Sequence, residues 1–82
     1  MDKIEKFLRT LSAKEHEAML LLMRQILDDF RKVPGVLPLR GKKGWYRVRM
    51  GNYRMIFIVH PQTKHVQIWR ISRRNEKTYR GL

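Results

Sequence analysis

The sequence predicts an α+β fold: an N-terminal helical hairpin packed on a small antiparallel β-sheet of three strands or more. One change of period and one turn signal carry that expectation. Apolar residues recur every three to four positions as far as Phe30 and every second position from Trp45 onward, and Gly51-Asn52 separates two of the alternating runs. Eighty-two residues without a cysteine make one domain, 1–82, and no disulfide or thiolate metal site can reinforce its core. A chain of this size buries about 60 to 65 % of the surface that its unfolded form exposes.

Residues 1–33 are the expected hairpin. Ile4, Phe7, Leu8 and Leu11 form one apolar stripe. Ser12-Ala13-Lys14-Glu15 has the pattern of a capping box, in which the serine hydroxyl takes an orphan amide and the glutamate reaches back. It opens a second helix whose broad apolar face holds Met19, Leu22, Met23, Ile26, Leu27 and Phe30. The methionines there are core filler rather than a ligand set. Pro34-Gly35 closes the hairpin, since proline cannot continue a helix and glycine tolerates the turn.

Residues 36–82 are expected as a basic β-meander with a C-terminal tail. Residues 45–50 alternate, with Tyr46, Val48 and Met50 on one side and Arg47 and Arg49 on the other. After the Gly51-Asn52 turn, residues 53–60 are apolar on both sides, which suits a central strand. Pro61-Gln62-Thr63-Lys64 turns the chain into a third strand over 65–72. The tail, 73–82, has no apolar periodicity.

Net charge is +12, and it is segregated. Residues 1–33 hold seven Lys/Arg against six Asp/Glu; residues 34–82 hold twelve against one, Glu76. Solubility needs no such split, whereas a nucleic-acid or other polyanion partner does. Arg47 and Arg49 share one strand face and Arg54 opens the neighbouring strand across a tight turn. Directly opposed like charges cost about a few tenths to 1 kcal/mol in a sheet, a repulsion that a bound polyanion would relieve. The plainer alternative is a solvated face whose arginine stems lie over apolar neighbours. The longest apolar run, Ala18 to Met23, cannot span a bilayer, and the N-terminus lacks the apolar segment of a signal peptide, so a soluble, cytoplasmic protein is expected.

Three ordered motifs carry a family resemblance. They are Leu39-Arg40-Gly41, then Trp45-Tyr46-Arg47-Val48-Arg49-Met50-Gly51-Asn52-Tyr53-Arg54-Met55-Ile56-Phe57, then Arg73-Arg74-Asn75-Glu76-Lys77-Thr78-Tyr79. Together with the preceding helical hairpin this order resembles the RelE/ParE toxin superfamily over nearly the whole chain. The family usually opens with a β-strand, and here a helix stands at residue 2 or so; either the sheet lacks that strand or the chain is shortened. RelE-type members are mRNA interferases that cleave messenger RNA, usually in the A site of the 30S ribosomal subunit, whereas ParE-type members act on DNA gyrase without the basic catalytic set. The resemblance implies RNA-directed roles for Arg47, Arg49 and Arg54, for Arg73 or Arg74, and for Tyr79. It also implies a type II toxin–antitoxin system, and hence a cognate antitoxin as partner.

The chemistry sorts these residues. Metal-independent, cofactor-free RNA cleavage uses the substrate's 2′-hydroxyl as nucleophile. The protein must then accept the 2′-proton, stabilise a doubly charged phosphorane and protonate the 5′-oxygen. Arginine stays protonated and cannot be the base, but it binds phosphate oxygens in pairs. Arg47 and Arg49 suit RNA binding, Arg54 substrate clamping and transition-state charge, and Arg73 the same charge or the leaving oxygen. Tyr79 is the base, its phenolate favoured by surrounding guanidiniums, a ring stacked on a nucleobase, or a plain packing residue. With no obvious neutral-pH base, a ribosome that pre-orients the message would supply what the enzyme lacks.

Other residues carry weaker signals. Lys42 and Lys43 suit non-specific phosphate contacts, with Arg74 in the same RNA-binding group. Trp45 either stacks on a base or edges the core. His60 and His65 flank a turn without a nearby carboxylate, a poor metal site. Asp28 and Asp29 are expected at the surface. The rival functions are a ParE-like gyrase inhibitor and a non-catalytic basic RNA-binding module; neither a membrane nor a metal partner is expected.

Overall fold

The computed structural model describes residues 3–73 of the chain. Two helices, α1 (Lys3–Leu8) and α2 (Ala13–Asp29), precede a 3₁₀ turn at Phe30–Lys32. Four strands follow, β1 (Leu37–Pro38), β2 (Trp45–Met50), β3 (Tyr53–Val59) and β4 (Val66–Arg73), in one antiparallel sheet of order β1-β2-β3-β4. The architecture is α+β, with the helices on one sheet face. The two-residue β1 pairs with Tyr46 and Arg47 and has no counterpart in the alternating pattern. Among the described residues no helix is long and apolar enough to cross a membrane.

The start of α2 follows from its sequence. Ser12 accepts from the Glu15 amide at 3.2 Å, and the Glu15 carboxylate accepts from the Ser12 amide at 3.3 Å, which completes the capping box. The same carboxylate also accepts from the Tyr53 hydroxyl at 3.1 Å. One glutamate therefore ties the first turn of α2 to the first residue of β3. The Ser12 backbone bond, the Ser12 hydroxyl, the Tyr53 hydroxyl and the charge of Arg73 hold the Glu15 carboxyl below the usual glutamate range.

The core lies between this helical layer and the sheet. Leu8, Met19, Leu22, Ile26 and Val33 pack against Val48, Tyr53, Met55, Phe57 and Ile71. Aromatic rings join the layers at both ends: Phe7 meets Tyr53 edge-on at 5.7 Å, and Phe30 meets Tyr46 at 5.0 Å. Met19 and Met55 are buried filler. Leu27 departs from its expected place on the apolar face: it is 55 % exposed. It stands about 100° around the helix from Ile26, and full burial is confined to the narrower stripe of Met19, Leu22 and Ile26, with Met23 and Phe30 partly buried beside it.

Gly51 and Gly44 shape the first hairpin. Gly51 has φ +57° and Asn52 a negative φ, as in a type II′ turn, which matches the twist of the strands. Gly44 has φ +85°, and a Cβ there would lie 2.9 Å from the Val59 carbonyl oxygen. The strand end is closed by the Val59 amide, which donates to the Gly44 carbonyl at 2.8 Å.

Two outcomes test this packing. Ile26→Ala, at a fully buried position, should lower the unfolding free energy by about 2 to 5 kcal/mol, read from the midpoint of urea denaturation. Because the folded-state pKa of Glu15 is depressed, its charge stabilises the fold above the unfolded pKa. That contribution is lost as pH falls through the folded value. The stability difference between the native chain and Glu15→Gln should therefore narrow on acidification; a gap that widens would contradict the assignment.

Candidate nucleic-acid interface

The sheet face turned away from the helices is set by register. Alternation on β2 sends Tyr46, Val48 and Met50 to the core and Trp45, Arg47 and Arg49 to the outer face. On β3 the outer residues are Arg54, Ile56 and Ile58, paired across the hairpin with Arg49, Arg47 and Trp45 respectively. Arg49 and Arg54 are thus direct cross-strand partners. Their opposition places two positive charges side by side, as the hairpin spacing predicts.

Strand β4 adds residues that the alternating pattern does not reveal. Ile56 pairs with Arg70 but Phe57 pairs with Ile68, so Trp69 is an extra residue in a β-bulge. The bulge has a packing cause. Ile68 and Ile71 lie three apart, and in a regular strand they would point to opposite faces. The extra residue lets both turn to the helices, where Ile71 is buried and Ile68 packs against the core. Consequently Trp69 and Arg70, although adjacent, are both exposed. The outer face therefore carries four arginines, Arg47, Arg49, Arg54 and Arg70, around Ile56, which has no exposed surface. Arg70 is the member that strict alternation misses; the Ile-x-x-Ile spacing is the signal that marks it.

One end of this face is aromatic. The Trp45 and Trp69 rings lie 5.3 Å apart at 65°, and the Lys42 ammonium sits 5.1 Å from the centre of the Trp45 ring. The 39–45 loop that carries Lys42 is closed by the Lys42 amide donating to Leu39 and the Trp45 amide donating to Lys42. Lys43 diverges from it. It lines a groove with Phe30, Tyr46 and Lys64, between the end of α2 and the β3–β4 turn.

Arg73 does not join the cluster. It pairs with Tyr53 on the helix side of the sheet, and its charge acts on Glu15. An odd offset along β4 from Arg70 puts Arg73 on the face opposite Arg54, so of the two residues expected in that role, Arg73 or Arg74, the described one lies away from the cluster. Arg74 and Tyr79 lie outside the described residues. His60 and His65 stack at 6.1 Å, and His60 shares a hydrogen bond with Gln67 at 3.2 Å. Asp29 caps the 3₁₀ turn by accepting from the Arg31 amide and pairs with the Arg31 guanidinium at 3.2 Å. These Arg31 bonds hold its carboxyl below the usual range. Among the described residues no three His, Asp or Glu are grouped to hold a metal ion.

Comparison of the chain with protein-family models, curated proteins and solved structures gives no match. Guanidiniums fixed on adjacent strands bind phosphate oxygens in pairs and do not withdraw protons near neutral pH.

If each of the four arginines contacts one phosphate of a single strand, the log–log salt dependence of RNA affinity should have a slope of about −2.8. Arg49→Ala should make it shallower by about 0.7, measured by filter binding across a salt series. Affinity that is insensitive to salt would show that the arginines do not neutralise phosphates.

Proposed function

We propose that the outer sheet face binds RNA phosphates and that the protein is a RelE-like, metal-independent mRNA endoribonuclease acting in the ribosomal A site. It would then be the toxin half of a type II toxin–antitoxin pair, held inactive by a cognate antitoxin. The observation that carries this reading is the group of four arginines on one sheet face, with Arg49 and Arg54 in direct register. Guanidiniums grouped on one face offer paired donors to successive phosphates of a polyanion.

In this mechanism Arg47 and Arg49 hold the phosphates that flank the scissile bond. Arg54 faces the scissile phosphate, where its charge is worth more as the phosphorane gains its second negative charge. The 2′-oxygen attacks phosphorus as it gives up its proton, the bond to the 5′-oxygen breaks, and that oxygen takes a proton from water, giving a 2′,3′-cyclic phosphate and a 5′-hydroxyl. Tyr79 is proposed as the group that takes the 2′-proton or stacks on the neighbouring base. Arg70 replaces Arg73 as the β4 contribution to charge on this face.

A second reading rests on the position of Arg73. Its place on the helix side, beside Glu15, favours a non-catalytic RNA-binding module, which needs the phosphate contacts but no leaving-group assistance. Primer extension on a translated message after expression separates the two. A nuclease gives discrete cuts at codon positions, reduced about 10²- to 10³-fold in Arg54→Ala and strongly reduced in Tyr79→Phe. Growth arrest with intact messages would reject catalysis.

A further inference from the structure

Both tryptophans of the chain, Trp45 and Trp69, meet on the sheet face that carries the arginines. The helix-facing core contains neither. Trp45 reaches the outer face by alternation, as the first residue of β2 ahead of Arg47 and Arg49. Trp69 reaches it through the bulge, next to Arg70. The rings come together across β3, since Trp45 pairs with Ile58 and Ile58 pairs in turn with Gln67 on β4.

Three properties of the pair fit a nucleobase. Trp69 is 38 % exposed, an apolar ring left in water beside a row of cations. Trp45 is half-buried and braces it at 5.3 Å, so little side-chain freedom remains to be lost on stacking. Lys42 holds a positive charge against the Trp45 ring, within reach of a phosphate attached to a stacked nucleoside. Along β2 the distance from Trp45 to Arg49 is about 13 Å, at about 3.3 Å per residue, which a short oligonucleotide covers. Phosphate binding by arginine is blind to whether bases are paired; an open aromatic ring is not, because a base must leave its stack to reach it.

We infer that the Trp45–Trp69 pair is a stacking platform for an unpaired nucleobase of the same strand whose phosphates the arginines bind, with Trp69 as the contacting ring and Trp45 as its buttress. The platform selects single-stranded over duplex RNA. This rests on the RNA-binding reading of the arginine face but not on cleavage.

The chain holds no other tryptophan, so its intrinsic emission reports this site without a label. The full chain would be titrated with a short single strand carrying 2′-O-methyl groups, which cannot supply the nucleophile, and with the duplex of the same sequence. The single strand should quench the emission; the duplex should not. Trp69→Ala should weaken single-strand binding about 5- to 150-fold, the equivalent of about 1 to 3 kcal/mol, and leave duplex affinity within about twofold. Trp69→Phe, which keeps a ring at the position, should restore most of the affinity and so separates stacking from folding. Equal quenching by both RNAs, or single-strand affinity unchanged in Trp69→Ala, overturns the platform. Salt-sensitive binding without quenching also overturns it while leaving the phosphate face intact. If neither RNA binds, the phosphate face and the platform fail together; cleavage can fail while quenching persists.

Discussion

The register of β3 is the constraint from which the rest follows. Its residues are claimed by both faces, Tyr53, Met55 and Phe57 by the helical core and Arg54, Ile56 and Ile58 by the outer side. Because side chains alternate strictly, a slip of one residue would drive the Arg54 guanidinium into the core and turn Phe57 to water. Three local devices hold the register. Gly51 sets the turn at one end, the Gly44–Val59 hydrogen bond closes the other, and the Tyr53–Glu15 bond anchors β3 to the capped end of α2. The capping box thus organises more than a helix terminus, since its glutamate also fixes where the outer arginines emerge.

Much of this was legible in the sequence because it rests on local chemistry. Ser12 and Glu15 announce the start of α2, Gly51-Asn52 the hairpin, and the doubly apolar run from Tyr53 the central strand. What escaped depends on tertiary balance. Leu27 looks like a core residue by helical spacing, but full burial is confined to the narrower stripe beside it. Trp69 and Arg70 owe their common orientation to a bulge that forms because Ile68 and Ile71 both seek the core. Arg73 looks like a companion of Arg54 from motif order alone, and the register carries it to the other side of the sheet. Only the β4 residues owe their departure to a competing burial that shifts the phase of the alternation.

The two sheet faces divide labour in a way that suits so short a chain. One face supplies the hydrophobic contacts on which folding depends. The other carries charge and aromatic surface around the buried Ile56. On the helix-facing side Met19, Ile26 and Phe57 are essentially inaccessible to water. An anion that binds the outer face only in the folded chain stabilises the fold, so occupancy and stability are linked.

The bulge at Trp69 has a consequence for behaviour in concentrated solution. Among the described residues β4 pairs only with β3, so its other side is a sheet edge. Long regular edges are templates on which other molecules add strands and aggregate. A bulge breaks the even spacing of amide and carbonyl groups that such growth requires and twists the edge away from a partner. The exposed cations Arg70 and Arg73 on the same strand add mutual repulsion. A single inserted residue therefore makes this strand a poorer template for strand addition along the same stretch that presents its tryptophan.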